Sequence, residues 1–146
     1  MLKIGDEMRI INNTQKKEVG QALAEFAICL PLLITIFCGI LDFGWLYMNE
    51  YEVNHASYEA ARYAAGHIKD AGMTKATLEN NMKALVENNL THKSSNLAIN
   101  IDGLYLEDFP SITVTNPVHM LTYVGSLFFG SVYDVSVTNS FYAAVT

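Results

Sequence analysis

Hydrophobic positions follow three different patterns along this chain. Residues 22–41, ALAEFAICLPLLITIFCGIL, are apolar on every face and carry one charge, Glu25. At 1.5 Å per residue a helix of that length spans about 30 Å, the thickness of a bilayer's hydrocarbon core. A surface helix shows only an apolar stripe, so the run predicts a membrane-spanning segment. Pro31 lies in its middle, where the missing N–H permits a kink. The helical pattern then continues through residues 46–68, LYMNEYEVNHASYEAARYAAGHI, without proline and without glycine before Gly66. Ala56, Ala60 and Ala64 recur every fourth residue. With Val53 and Ser57 they form a small-residue stripe that lets another helix or a sheet come close. Tyr47, Tyr51 and Tyr58 mark a neighbouring stripe. One helix over about 21–68 is predicted, lipid-soluble in its first half and amphipathic in its second.

Asp70-Ala71-Gly72 breaks this helix, and Thr74 can cap a second one. Leu78, Met82, Leu85, Val86 and Leu90 follow at helical spacing, up to the polar stretch 91–96. The period then changes to two. LAINI (97–101), SITVTNP (111–117) and VYDVSVTNSFYAAV (132–145) alternate apolar and polar positions. They are bounded by the turn residues Asp102-Gly103, Asp108 with Pro110, and Asn116-Pro117. Residues 118–129 are apolar and read either as a short helix or as a covering loop. Three strands with one apolar face suit packing on the outer half of the long helix. The expected fold class is α+β: a long membrane-spanning helix running into an outer domain with a second helix and a small antiparallel sheet of about three strands.

Composition sharpens this. Half of the 146 residues are hydrophobic and 16% are charged, against about 25% charged in an average soluble domain. Before Gly20 there are four basic and three acidic residues, net +1; from Gln21 onward there are five basic and twelve acidic, net −7. The body is acidic and has no basic patch for phosphates, which argues against nucleic acid as a partner. The two cysteines, Cys29 and Cys38, both fall in the apolar run, roughly 13 Å apart on a helix and out of disulfide reach. No cysteine lies outside the run to form a staple, a Cys-ligated zinc site or a redox pair.

A cleaved secretory signal competes with an anchor, but it needs a shorter apolar core followed by a small-x-small site. Here Asp42-Phe43-Gly44-Trp45 follows. Phe43, Trp45, Tyr47 and Tyr51 are rings suited to the outer membrane–water boundary, and Lys3, Arg9, Lys16 and Lys17 mark the N-terminal flank as cytoplasmic. The chain therefore reads as a single-pass anchor, N-terminus in and C-terminus out. No catalytic constellation is visible. Asp42-Phe43-Gly44 spells a kinase metal motif, but every companion motif is missing. His55, His67, His92 and His119 lack metal-ligand spacing, and Ser57, Ser111 and Ser126 lack a nucleophile elbow. Asn89-Leu90-Thr91 matches a glycosylation acceptor, a tripeptide common by chance. Neither enzyme activity nor a cofactor is expected.

Glu25 is the charge that needs a reason. At the interface it reaches water at little cost; deeper in the bilayer it costs about 2.5–3.5 kcal/mol and calls for a positive partner. A free α-amine four residues earlier would serve, and would exist if the chain were cut between Gly20 and Gln21. Gly20 at −1, an apolar run from +2, Glu25 at +5 and basic residues upstream resemble the processing site of type IV pilin-like proteins. GQALAEFAICLPLL, then GILDFG, then the alanine-rich AARYAA is similar to TadE-like proteins of the tight-adherence (Tad, Flp) pilus system. The likeness covers about residues 18–66.

That resemblance implies a cytoplasmic leader (1–20), a transmembrane first half of the long helix (21–45) and an extracytoplasmic pilin-like domain (46–146). A membrane-embedded prepilin peptidase would cut after Gly20, and Glu25 would pair with the Gln21 amine, its own or a neighbour's, as helices leave lipid for a filament. Implied partners are that peptidase, other minor and major Tad pilins, a cytoplasmic ATPase, an inner-membrane assembly platform and membrane lipid. Flp-type major pilins are much shorter, so the chain resembles a minor pilin or pseudopilin needed for pilus assembly, adherence or biofilm formation. Its location would be the bacterial inner membrane or an extracellular pilus. Residue +1 is Gln where ordinary type IV pilins carry Phe, and an N-terminal Gln can cyclise and lose its charge. The alternative is an uncut signal-anchored protein whose outer domain binds a partner, with Glu25 incidental.

Overall fold

The computed structural model describes residues 3–143, and of residues 3–18 the backbone alone. The elements in chain order are α1 (Lys3–His67), α2 (Lys75–Asn89), β1 (Ala98–Asp102), β2 (Ser111–His119), α3 (Tyr123–Phe129) and β3 (Val132–Ser140). The fold is α+β. The chain divides into two compact units, Met1–Ile40 and Leu41–Thr146. Helix α1 begins at Lys3, earlier than the expected start near residue 21; residues 3–19 contain no proline and a single glycine, Gly5, to interrupt it.

Among the described residues of the first unit, helix is the only secondary structure. From Val19 onward its large apolar side chains stand open: Leu23, Phe26, Ile28, Leu32, Phe37 and Ile40 are all more than 60% exposed. The helix passes through Pro31 without interruption, and Thr35 Oγ1 donates to the Pro31 carbonyl at 2.8 Å.

The second unit has its own core. The strands form one antiparallel sheet in the order β1-β2-β3. Alternation along β2 turns Ile112, Val114, Asn116 and Val118 inward, and β3 adds Val135. The small-residue stripe of α1 is fully buried: Val53, Ala56, Ser57, Ala60 and Ala64 are each 0% exposed. Leu78, Met82 and Val86, one turn apart on α2, complete the cluster. Thr74 caps α2, its hydroxyl accepting from Thr77 N at 3.2 Å. Across the sheet's open face, Thr113 pairs with Thr138 at 2.8 Å and Thr115 with Ser136 at 2.9 Å, cross-strand pairs worth roughly 0.2–1 kcal/mol each. Asn139 Nδ2 donates to Ser57 Oγ (2.6 Å) and Asn54 Oδ1 (3.1 Å), tying β3 to α1.

Three local expectations change. Asn116-Pro117 does not end a strand: β2 runs through it to His119. β1 pairs only as far as Thr115, so beyond it one flank of β2 is open and a residue without an N–H is tolerated. The buried Asn116 side chain instead satisfies the 92–94 loop, accepting from Ser94 N at 3.0 Å and donating to His92 O at 2.8 Å. Residues 118–129 are neither all helix nor all loop; they finish β2 and then form α3, which Gly130 ends at φ +84°. The third strand stops at Ser140, because its partner Ser111 is the first residue of β2. Phe141 N and Ala143 N donate instead to Pro110 O (3.0 Å) and Asp108 O (2.9 Å). Residues 144 and 145 of the expected strand lie outside the described residues.

The alanine stripe sets how close the sheet and α2 come to α1. Ala60→Leu adds three carbons where none fit and is expected to cost about 1–3 kcal/mol. Tyr58→Ala, at a site 55% exposed, should stay within about 0.5 kcal/mol. Denaturant unfolding of the two variants in detergent, followed by near-ultraviolet circular dichroism, checks the contrast.

Candidate functional site

The residues singled out by the pattern at the start of the apolar run lie within two turns of α1. Gln21 and Glu25 are one turn apart, and Gln21 Nε2 donates to Glu25 Oε1 at 3.1 Å. Both side chains are exposed. Glu25 thus takes a neutral donor from its own helix in the uncut chain. Gly20 immediately precedes this pair, and a Cβ there would meet nothing within 4 Å. Among the described residues no packing requires glycine at that position, so a requirement for a small residue would come from a molecule that approaches the backbone. Pro31 is not part of this group; it stands by itself six residues beyond Glu25. Cys29 and Cys38 are free thiols.

A second polar arrangement sits just past the apolar run. Asp42 is 1% exposed. Its Oδ1 accepts from Thr122 N at 2.8 Å, and its Oδ2 accepts from the Thr122 hydroxyl. The same hydroxyl accepts from Gly125 N at 3.2 Å, capping α3. One carboxylate therefore holds the start of α3, eighty residues away in sequence. Gly125 must lack a side chain here, because a Cβ would overlap the Asp42 carboxylate. Pattern reading treated Asp42 as part of a chance motif. The available signal was a carboxylate directly after sixteen uncharged residues of the apolar run (26–41), together with Thr-x-x-Gly in an uncharged stretch.

Trp45 differs from the other three rings in packing against the outer unit. It is half-buried, its indole N–H donates to His119 O at 3.1 Å, and the His92 ring meets it edge-on with centroids 4.9 Å apart. His92 Nδ1 also lies 3.6 Å from Glu52 Oε1. Trp45 and His92 border a cavity of about 380 Å³ with Asn49, Pro117 and His119. Phe43, Tyr47 and Tyr51 remain exposed. Among the described residues no three His, Cys, Asp or Glu side chains gather as metal ligands.

The geometry defines a chain with one helix long and apolar enough to cross a membrane, followed by a small α+β unit. Residues 20–62 match the family model of TadE-like protein, a stretch that opens on Gly20 and takes in Glu25, Pro31 and Asp42. The match spans under a third of the chain and coincides with the part that resembles TadE-like proteins by motif. An apolar N-terminal helix and a TadE-like stretch both fit association with a membrane. No curated protein and no solved structure matches the chain.

The Asp42 latch is testable by a double-mutant cycle. Gly125→Ala and Asp42→Ala are each expected to destabilise the outer unit by about 1–3 kcal/mol. Their combination should cost clearly less than the sum, because the alanine no longer meets a carboxylate. Unfolding midpoints of the four chains measure the coupling.

Proposed function

We propose that this chain is a minor pilin or pseudopilin of the Tad (Flp) pilus. It is made with a cytoplasmic leader, held in the bacterial inner membrane by residues 21–45, and cut after Gly20 by prepilin peptidase. It has no chemistry of its own and acts by assembly. The observation that carries this reading is the TadE-like match beginning at Gly20, on a helix whose apolar side chains stand open among the described residues.

The physical steps follow from what a helix loses and gains on leaving lipid. Exchanging lipid tails for other apolar helices gives little hydrophobic gain, so the polar group decides where a helix docks. After the cut, Gln21 carries an α-amine one turn before Glu25, close enough to neutralise it within one chain or between neighbours. If Gln21 cyclises, the side-chain amide leaves as ammonia and the amine becomes a lactam nitrogen. Glu25 then loses both the charge and the amide donor that it has in the uncut chain. Retention of the open amine is therefore part of the proposed mechanism. The other minor and major pilins, the membrane platform and the ATPase are the partners this reading assigns, with adherence or biofilm formation as the outcome.

Gly20→Leu and Glu25→Ala separate the two roles. Gly20→Leu should block removal of the leader while leaving the fold unchanged, since the site is empty of neighbours and leucine is the better helix former. Glu25→Ala should still be cut, yet enter filaments at least about tenfold less well, equivalent to losing about 1.4 kcal/mol of docking. Leader removal is read by gel mobility and filament incorporation in sheared pili. Normal incorporation of the Glu25→Ala chain removes the charge-pair role, and normal cutting of the Gly20→Leu chain removes the processing role.

A further inference from the structure

Helix α3 and the residue before its cap present an apolar surface that nothing among the described residues covers. Leu121, Tyr123, Leu127, Phe128 and Phe129 are 57–77% exposed, with Tyr123 at 77% and Phe128 at 75%. Isolated apolar side chains at a surface are ordinary, but five in nine residues form a patch that marks an interaction site. What covers it follows from where α3 is held. Its cap residue Thr122 is bonded through both its backbone N–H and its hydroxyl to Asp42. Asp42 is the residue directly after the apolar run 22–41. If that run crosses a bilayer, Asp42 stands at the outer boundary, and α3, fastened to it, stands at the same depth. The charge pattern agrees. From Phe109 to Tyr133 there is no Asp, Glu, Lys or Arg, although the chain from Gln21 onward carries net −7. A neutral segment is the part of an acidic unit that can lie among headgroups without repulsion from anionic lipid. Phenylalanine and leucine with a tyrosine hydroxyl nearby is the composition of an interfacial element.

We infer that α3 is a second membrane contact, lying in the outer leaflet's interface with Leu127, Phe128 and Phe129 toward the acyl chains, and that the Asp42–Thr122 latch sets its depth. The inference rests on the membrane-spanning reading of residues 22–41. It goes beyond that reading by giving the outer unit a lipid contact of its own. Entry into a filament would then require α3 to leave lipid along with the apolar helix.

The test uses the unaltered full chain reconstituted in vesicles of phosphatidylethanolamine and phosphatidylglycerol. These are doped with a phosphatidylcholine that carries a photoactivatable diazirine on one acyl chain. After illumination, lipid adducts are mapped by peptide mass spectrometry. Adducts are expected in 22–41 and also in 121–129. The latter should exceed by about tenfold the level in 139–142, which the nine residues of β3 place some 30 Å farther along the chain. Adducts in 22–41 but not in 121–129 overturn the inference and leave the membrane span standing. That holds also where 121–129 is shielded from a water-borne label, since the cover is then protein. Absence of adducts from 22–41 overturns the membrane span itself, and the inference with it.

Discussion

An apolar helix left uncovered by the described residues of its own chain is the constraint on which the rest of this molecule depends. Each leucine, isoleucine or phenylalanine between residues 22 and 41 would gain about 1.5–3 kcal/mol by leaving water, and these residues leave most of that surface open. The cover has to come from outside, as lipid tails or as the helices of other subunits. Those two environments are nearly equivalent for hydrocarbon, which is why one carboxylate and its donor carry so much of the proposed specificity. Glu25 is indifferent to neither: in lipid it needs the interface, and among helices it needs a positive partner.

The outer unit answers a different problem, how to build a stable body on the end of such a helix without disulfides. Ala56, Ala60 and Ala64 are small enough for the sheet and α2 to reach the α1 backbone, so the helix itself serves as one wall of the core. Polar groups then fix the parts that packing leaves free. Asn139 ties β3 to Ser57, Asn116 holds the 92–94 loop, and Asp42 holds α3. These three devices set register and position where a smooth apolar face would permit sliding. Buried hydrogen bonds of this kind contribute about 1 kcal/mol each in stability but lose more if one partner is removed.

Much of this was legible in the residues because periodicity is strong where one face is buried. The apolar run, the alanine stripe, the Thr74 cap and the alternation of ITV and DVSV each lead to one element, and each element is present. The motif likeness from Gly20 onward likewise coincides with the TadE-like match. The failures share one cause, that local signals were outvoted by contacts distant in sequence. Asn116-Pro117 looks like a strand end but lies inside β2, since its neighbour strand has already stopped. Trp45 reads as one of four similar rings, yet it alone is half-buried, its N–H donating to the distant His119 carbonyl. Asp42 was invisible as an anchor because its partner lies eighty residues away and glycine at 125 carries no hint of a carboxylate beside it.

The central claim is that Gly20–Gln21 is a junction to be cut, so that Glu25 meets a new amine in the first turn of a filament helix. The most direct measurement is the intact mass and terminal residue of the chain extracted from membranes of cells that carry a prepilin peptidase. The account predicts a chain that starts at Gln21 with an open α-amine and has lost residues 1–20. A chain that keeps those residues in such cells contradicts it.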